Sequence, residues 1–186
     1  MTSIAVFWFR RDLRLNDNHG LYQALQSGYK VKPIFIFDQD ILKRLPKDDA
    51  RLTFIFDQLQ SIRRQLQNNY NSSVALYYGK PSEIFEQLIQ KHTINTVFTN
   101  HDYEPYARKR DEEIRKLLHN NSIAFKTFKD QVIFEKDEVS KADGNPYVVY
   151  TPYMKKWKER FRKQRLQFFP SEDHLDQLLQ EKNLNT

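Results

Sequence analysis

Aromatic and polar side chains suited to a flat ligand lie near the ends of several apolar runs in this chain. Aromatic rings offer apolar walls, carboxylates and amides accept hydrogen bonds, and an arginine donates two parallel ones. A planar heteroaromatic molecule binds well where such groups converge. The candidate binding residues are Trp8, Arg10, Phe37, Asp38, Arg51, Asn100, Asp102 and Glu104. The alternative is that the rings belong to the core and that Asp102 and Glu104 only stabilise a helix N-terminus.

The amino-terminal segment indicates how the first of these residues is positioned. Ile4–Phe9 is an apolar run typical of a strand buried on both faces, and it stops at the charged stretch 10–18. Asn16, Asp17 and Asn18 are good helix N-cap residues, and a helical apolar stripe follows them. The loop therefore lies at the carboxyl end of a strand, where open α/β sheets bind ligands. The same charges also suit an ion-pair lattice that binds nothing.

Apolar runs alternate with helical patterns along the first 130 residues. Helical spacing of apolar residues is clear in 50–67 and 104–118, and Pro81 opens a further helix. Strands that alternate with helices imply right-handed crossovers. We therefore predict an α/β fold, a Rossmann-like, doubly wound, five-stranded parallel sheet flanked by helices. The predicted strands are Ile4–Phe9, Val31–Phe37, Val74–Tyr78, Thr96–Thr99 and Ile123–Phe128.

The alternation ends after Phe128, which divides the chain into a predicted α/β domain at 1–130 and an interdomain connector at 131–186. Within the connector we expect a short extra strand in 131–139 and a helix from Thr151 to Arg165. A last helix, capped by Ser171, carries an apolar stripe with no obvious core to enter, namely Leu175, Leu178 and Leu179. That stripe predicts a missing partner.

Composition excludes several kinds of protein and site. The 186-residue chain has no cysteine, and so no disulfide, thiol nucleophile or cysteine metal site. Its four scattered glycines form neither a dinucleotide fingerprint nor a P-loop, and its five histidines lack metal-binding spacing. No apolar stretch reaches about 18 residues, and no signal-peptide pattern is present. We expect a cytoplasmic protein without a metal or a membrane partner.

The positive charge is concentrated in one short segment. The chain has a net charge of +6, and 155–165 contains seven basic residues against Glu159 alone. If the protein binds DNA, this segment is the basic surface to expect near it, with Lys155 and Lys156 as DNA-proximal residues. The alternative is an ordinary solvated helix face.

Four segments resemble the DNA photolyase and cryptochrome family in order and spacing. Residues 8–21 read WFRRDLRLNDNHGL, like the amino terminus of the family, and 35–38 read FIFD, like its F-x-x-D turn. Residues 100–111 read NHDYEPYARKRD, which matches its N-x-D-x-E-P-Y-x-x-x-R-D signature. Residues 144–157 read GNPYVVYTPYMKKW and are similar to the segment leading into its TPF…W helix. The resemblance covers about residues 3 to 165.

This resemblance implies the amino-terminal, antenna-binding α/β domain of a deoxyribodipyrimidine photolyase. In the family, such a domain holds a light-harvesting chromophore and passes its excitation to a catalytic FAD. The family positions matching Asp38, Arg51, Asp102 and Glu104 contact a deazaflavin or flavin antenna. Folate-binding members commonly have Asn-Glu where this chain has Tyr106-Ala107, so the departure favours a deazaflavin, a flavin or no antenna over a folate.

The resemblance also implies partners and a reaction for the longer parent enzyme. The partners are DNA containing pyrimidine dimers and the parent's own helical carboxyl-terminal domain, toward which residues 131–186 extend. That domain holds FAD and splits the dimers with light. We expect residues 1–186 alone to be inactive, with no catalytic residue among them. Two alternatives stay open: a cryptochrome-type photoreceptor domain, and a stand-alone Rossmann-like ligand-binding module. The motifs do not separate repair of cyclobutane dimers from repair of (6-4) lesions.

Overall fold

Five parallel strands form one sheet with the order β3-β2-β1-β4-β5 in the computed structural model. The structure describes residues 2–180, with only the backbone at Lys136. The order reverses between the neighbouring strands β1 and β4, which is the topological switch point of a doubly wound sheet. The predicted fold class and the five predicted strands are confirmed. The strands are β1 (Ile4–Phe9), β2 (Lys30–Asp38), β3 (Ala75–Gly79), β4 (Ile94–Asn100) and β5 (Ala124–Phe128).

Helices cover both faces of this sheet because β1 and its neighbours are apolar on both sides. Ala5, Phe7 and Phe9 point into one core with the first and third helices, and Ile4, Val6 and Trp8 point into the other with the fourth and fifth. All six residues of β1 are buried, as a central parallel strand requires. The α-helices are α1 (His19–Leu25), α2 (Gln39–Leu42), α3 (Ala50–Tyr70), α4 (Pro81–Lys91), α5 (Pro105–Asn120) and α6 (Tyr150–Lys163).

Polar side chains fix the starts of the helices at the carboxyl edge of the sheet. The carboxylate or amide oxygens of Asn18, Asp38 and Asp49 accept hydrogen bonds from the first turns of α1, α2 and α3. Pro81 and Pro105 occupy the first positions of α4 and α5, where their missing N–H leaves nothing unsatisfied. These caps and prolines determine where the loops between the strands and the helices end.

The last described segment of the chain, residues 171–180, packs against the sheet. A 3₁₀ helix at Ser171–Gln177 packs on α1, and Leu175 and Leu178, each 1% exposed, lie in the core beneath it. Leu179 packs against the opposite core, and its N–H donates to the Val31 carbonyl at 2.7 Å, where β3 has not yet begun beside β2. The expectation that this stripe lacks a core to enter is wrong, because β2 is longer than β3 and leaves that space open.

The connector before this segment carries the predicted helix but not the predicted strand. Residues 131–139 contain a 3₁₀ helix at Lys136–Val139, so the strand expected there is wrong. On α6, Trp157 packs edge-on against Phe134 with ring centroids 5.4 Å apart and stacks on Phe161 at 5.0 Å. The division of the chain at residue 130 stays a prediction. Among the described residues, none of the helices has the length and apolar character to span a bilayer.

Candidate functional site

A cleft of about 1150 Å³ opens at the carboxyl edge of the sheet. The loop after β1, the end of β2, the α2–α3 region and the start of α5 each contribute to its wall. Its apolar lining comprises Leu13, Phe35, Ile36, Phe37, Ile41, Leu42, Leu45, Ala50, Leu52, Phe54, Ile55 and Ala107. Its polar lining includes Arg10, Arg11, Asp38, Arg44, Arg51, Gln58, Asp102, Glu104, Tyr106 and Arg110. Such a mixture of apolar wall and convergent polar groups suits a planar ligand.

Six of the eight predicted binding residues line this cleft, and two do not. The six are Arg10, Phe37, Asp38, Arg51, Asp102 and Glu104. The other two, Trp8 and Asn100, are 2% and 1% exposed and lie beneath the surface. Strand ends and a helix start therefore bring together residues that are up to 94 positions apart in the chain, from Arg10 to Glu104.

Trp8 supports the floor of the cleft from below. Its ring packs edge-on against Phe85 in the core, with centroids 5.2 Å apart. The guanidinium groups of Arg10 and Arg110 lie 5.1 and 4.9 Å from its ring centroid. Cations attract the face of an indole ring, so Trp8 holds the two arginines in place.

The side chain of Arg10 is buried and almost fully paired. Its Nη1 donates to both carboxylate oxygens of Asp111 at 2.7 and 2.8 Å, and its Nη2 donates to the Asn100 carbonyl. Burial lowers the pKa of Arg10, and the Asp111 carboxylate opposes that shift. Its Nε has no hydrogen-bond partner within residues 2–180. A buried donor without an acceptor is destabilising.

Asp38 and Tyr106 form the second fixed pair in the cleft. The Tyr106 Oη donates to Asp38 Oδ2 at 2.7 Å, and Asp38 Oδ1 accepts from the Asp40 N–H at 3.0 Å, which caps α2. Burial, followed by the hydrogen bond to Asp38, raises the pKa of Tyr106 above its ordinary value. The phenol therefore stays protonated at neutral pH and donates to Asp38.

Exposed ion pairs flank the cleft on two sides. Arg11 donates to Glu104 at 2.7 Å and lies 3.9 Å from Asp102. Arg51, with 70% of its side chain exposed, pairs with Asp49 at 2.5 Å. Hydrogen bonds from the Arg51 side chain and backbone hold the pKa of Asp49 down at about 2. Exposed pairs of this kind contribute little to stability, so both arginines can exchange partners when a ligand binds.

Asn100 belongs to a buried polar lattice beside the cleft. Its amide nitrogen donates to the carboxylate of Asp12 and to Asn18 Oδ1, the latter at 2.9 Å. Its Oδ1 accepts the Gly20 N–H at 2.8 Å. A Cβ at Gly20 would lie 2.5 Å from that oxygen, so only glycine fits there. The lattice fixes the loop between β1 and α1, the loop that also carries Arg10 and Arg11.

Sequence reasoning missed several residues of the cleft. Arg44, Tyr106, Arg110 and the apolar Ile41 and Leu42 line it without having been predicted. The spacing of Tyr106 and Arg110 is a usable signal, since residues four apart share one face of a helix that begins at Pro105. No comparable signal exists for Ile41 and Leu42, because α2 has only four residues.

The two predicted DNA-proximal residues, Lys155 and Lys156, are exposed on α6. Lys156 and Lys163 pair with Glu159, the one acidic residue in that segment, at 3.2 and 2.8 Å. Neither Lys155 nor Lys156 lines the cleft. Within the described part of the chain, histidine, aspartate and glutamate side chains form no group of three that could bind a metal ion.

The sequence of this chain is similar to those of one known protein family. The sequence profile of the family described as DNA photolyase matches residues 5–172. The chain belongs to the DNA photolyase family. A deoxyribodipyrimidine photo-lyase from Synechococcus sp. is 34% identical over 157 residues, which is 84% of this chain and 32% of that protein. Animal cryptochromes also match. The chain spans about a third of the length of the photo-lyases it matches.

Solved photolyase structures share the fold. A bacterial class III photolyase from Agrobacterium tumefaciens superimposes with a TM-score of 0.72 at 28% identity, over 82% of this chain and 31% of that one. An archaeal photolyase from Sulfolobus tokodaii gives a TM-score of 0.62 at 31% identity, over 71% of this chain and 30% of that one. The archaeal structure contains two FAD molecules, which imply a novel light-harvesting cofactor in that protein.

Proposed function

We propose that this chain is the antenna-chromophore domain of a deoxyribodipyrimidine photolyase, the enzyme that splits cyclobutane pyrimidine dimers in DNA with light. The observation that carries the proposal is the cleft at the topological switch point, which gathers six of the eight predicted binding residues. Membership of the DNA photolyase family supports it. When bound, the chromophore absorbs light and passes the excitation to a catalytic FAD.

The chromophore proposed for the cleft is a deazaflavin or a flavin rather than a folate. Tyr106 and Ala107 replace the Asn-Glu pair of folate-binding members, and Tyr106 lies in the cleft. Asp38 and Asp102 would accept hydrogen bonds from ring N–H groups. Phe37 and Leu42 supply apolar wall, and Arg51 would donate to polar substituents. The second FAD of the archaeal photolyase supports the same class of ligand.

A chromophore titration tests this proposal. The 186-residue chain is titrated with FMN, a deazaflavin and a reduced folate, and absorption and fluorescence are recorded. We expect saturable binding of a flavin-type ligand and weaker binding of the folate. Arg51→Glu should weaken flavin binding about tenfold, since it removes a charge-assisted donor of the cleft. Arg64→Glu is the matched control, because Arg64 is exposed on the same helix and does not line the cleft. Equal loss in both variants, or no binding at all, would contradict the proposal.

The repair reaction is proposed for the longer enzyme, and residues 1–186 alone are proposed to be inactive. The catalytic FAD and the pocket for a flipped-out dimer belong to the remainder of that enzyme in this proposal. The chain's coverage of about a third of its photo-lyase relatives supports this division. Dimer repair by the 186-residue chain, supplied with reduced FAD and light, would overturn it. The assay on the complete protein is the positive control.

The basic face of α6 is proposed to lie near DNA in the longer enzyme. Reversing both charges, Lys155→Glu with Lys156→Glu, should weaken DNA binding and reduce the salt slope by about 2. The control pair is Lys91→Glu with Lys109→Glu, which changes the net charge equally at exposed sites on α4 and α5. Equal effects of the two pairs would mean that the α6 lysines are only a solvated face.

A cryptochrome-type photoreceptor domain is the second candidate, and the cryptochromes among the matches support it. Dimer-repair activity of the complete protein separates the two functions. The stand-alone ligand-binding module also stays open, since Leu175 and Leu178 are buried in the core and give no argument against it.

A further inference from the structure

The basic residues of α6 fall into two groups with different surroundings. Lys156 and Lys163 pair with Glu159 at 3.2 and 2.8 Å, and Arg160 donates a hydrogen bond to the Glu138 carbonyl. Hydrogen bonds from Lys163 and Lys156 lower the pKa of Glu159. These three cations therefore lie against acceptor groups of the protein itself, on what we call the paired face of α6.

The other three cations of the helix form an open face, which consists of Lys155, Lys158 and Arg162. All three are exposed, and their side chains have no ion pair or hydrogen bond within residues 2–180. Spacings of three and four residues place them on one side of the helix, along about 10 Å of its axis. Like charges at these spacings repel one another and destabilise a helix, so folding gives no reason for the arrangement.

The apolar side of α6 is occupied within the protein. Trp157 packs edge-on against Phe134 with ring centroids 5.4 Å apart, and it stacks on Phe161 at 5.0 Å. Helices that lie on a membrane surface insert aromatic residues of this kind between the lipids. Because the two rings of α6 pack on protein groups instead, the open face suits a polyanion in water better than a bilayer.

We propose that the open face of α6, made of Lys155, Lys158 and Arg162, contacts the phosphate backbone of a nucleic acid, and that the paired face does not. The inference rests on the proposed function, which places the basic segment near DNA, and it assigns the contact to Lys155 but not to Lys156. A duplex has one negative charge per about 1.7 Å of its axis, so about six charges lie along the open face. On the paired face, a phosphate would meet the Glu159 carboxylate, and like charges repel.

The salt dependence of binding tests this assignment, because it counts the phosphates that a protein contacts. The 186-residue chain is titrated into a fluorescein-labelled, undamaged 20-base-pair duplex, and anisotropy is recorded from 20 to 80 mM KCl. Three phosphate contacts predict a slope of about −2.7 in log affinity against log salt, which is about a 40-fold loss over this range. The open-face variant, Lys158→Gln with Arg162→Gln, should leave a slope of about −0.9 and a loss of about 3.5-fold.

The matched control is the paired-face variant, Lys156→Gln with Lys163→Gln, which removes the same charge from the same helix beside Glu159. Its slope should stay at about −2.7. Thermal melts show whether each protein is folded at the titration temperature. If the open-face variant is unfolded, Lys155→Gln with Lys158→Gln takes its place, with the same expected slope.

The outcomes separate this inference from the proposed function. A reduced slope in the open-face variant alone supports the inference. Equal reductions in the two variants would overturn the assignment to the open face and leave α6 near DNA. Absence of duplex binding at 20 mM KCl would overturn the inference and leave the chromophore site intact, since the α6 cations do not line the cleft. Tighter binding to phosphatidylserine vesicles than to the duplex, lost in the open-face variant, would assign this face to a membrane and would also overturn the inference.

Discussion

The carboxyl edge of the sheet has two halves that use similar residues in opposite ways. Beside β4 and α1, the side chains of Asp12, Asn18 and Asn100 hydrogen-bond one another and are buried. Beside β2 and α3, carboxylates and arginines surround an open cleft of about 1150 Å³. In the first half, the side chains of Asp12, Asn18 and Asn100 satisfy one another. In the second half, the Arg10 Nε has no hydrogen-bond partner among residues 2–180, and the ion pairs are exposed.

The contrast shows that one sequence motif can serve folding and binding together. Within residues 8–21, Asp12, Asn18 and Gly20 build the lattice, whereas Arg10 and Arg11 turn toward the cleft. The lattice fixes the backbone from which the two arginines project. We therefore expect substitutions in the lattice to lower stability and substitutions in the cleft to alter binding.

The largest effect should come from Asn100→Ala. This change leaves the Gly20 N–H without an acceptor and takes one donor from the buried Asp12 carboxylate. We expect a loss of about 3 kcal/mol in the free energy of unfolding. Asn95→Ala, at an exposed position of the same strand, should change it by less than about 0.5 kcal/mol. Urea unfolding followed by circular dichroism measures both, and a loss below about 1 kcal/mol for Asn100→Ala would break the contrast.

A smaller loss of stability is expected from Ser171→Ala, at the point where the 3₁₀ helix Ser171–Gln177 hydrogen-bonds to the loop that contains Asn18. The Ser171 hydroxyl is buried, donates to the Leu15 carbonyl at 2.6 Å and accepts the Asn18 N–H at 3.1 Å. Ser171→Ala leaves both groups unsatisfied, at a cost of about 1–2 kcal/mol. It should also speed proteolysis after residue 165. Ser140→Ala, which removes an exposed hydroxyl bound to the Asp137 carbonyl, is the control. Equal stability and equal rates of proteolysis in the two variants would mean that Ser171 does not hold the segment after residue 165 in place.

The smallest effect on stability is expected from the ion pair between Asp49 and Arg51 beside the cleft, and this effect depends on pH. The pKa of Asp49 is held at about 2, below its ordinary value of 3.8, by hydrogen bonds from Arg51. A depressed pKa of the folded state stabilises the protein above pH 3.8, and this contribution is lost as the pH falls toward 2. Asp49→Asn keeps the helix cap but not the charge. The difference in unfolding midpoint between wild type and variant should therefore shrink as the pH falls from 5 to 2. A difference that does not change with pH would contradict a stabilising ion pair between Asp49 and Arg51.

Much of the fold could be predicted from residue patterns alone. The five apolar runs became five strands, of which the central one, β1, is buried throughout. The cap at Asn18 and the proline at position 81 mark real helix starts. The return of Leu175 and Leu178 to the core could not be predicted. It depends on β2 extending beyond β3 at its amino end, which is a property of strand register.

The site was predictable where a residue follows a strand directly. Asp38 ends β2 and Asp102 follows β4 by two residues, and both line the cleft. Trp8 is the opposite case, because strand alternation decides which face a side chain points to and this ring points into the core. Arg44 follows a four-residue helix whose direction no periodicity reveals.

The most direct test of the division between lattice and cleft is an amide chemical-shift map of the ¹⁵N-labelled chain as FMN is added. The account predicts saturable shifts for the backbone amides of Phe37, Arg51 and Tyr106, with the side-chain amide signals of Asn18 and Asn100 unmoved. Saturable shifts confined to residues outside the cleft, or loss of the Asn18 and Asn100 signals without change at Arg51 and Tyr106, would contradict it.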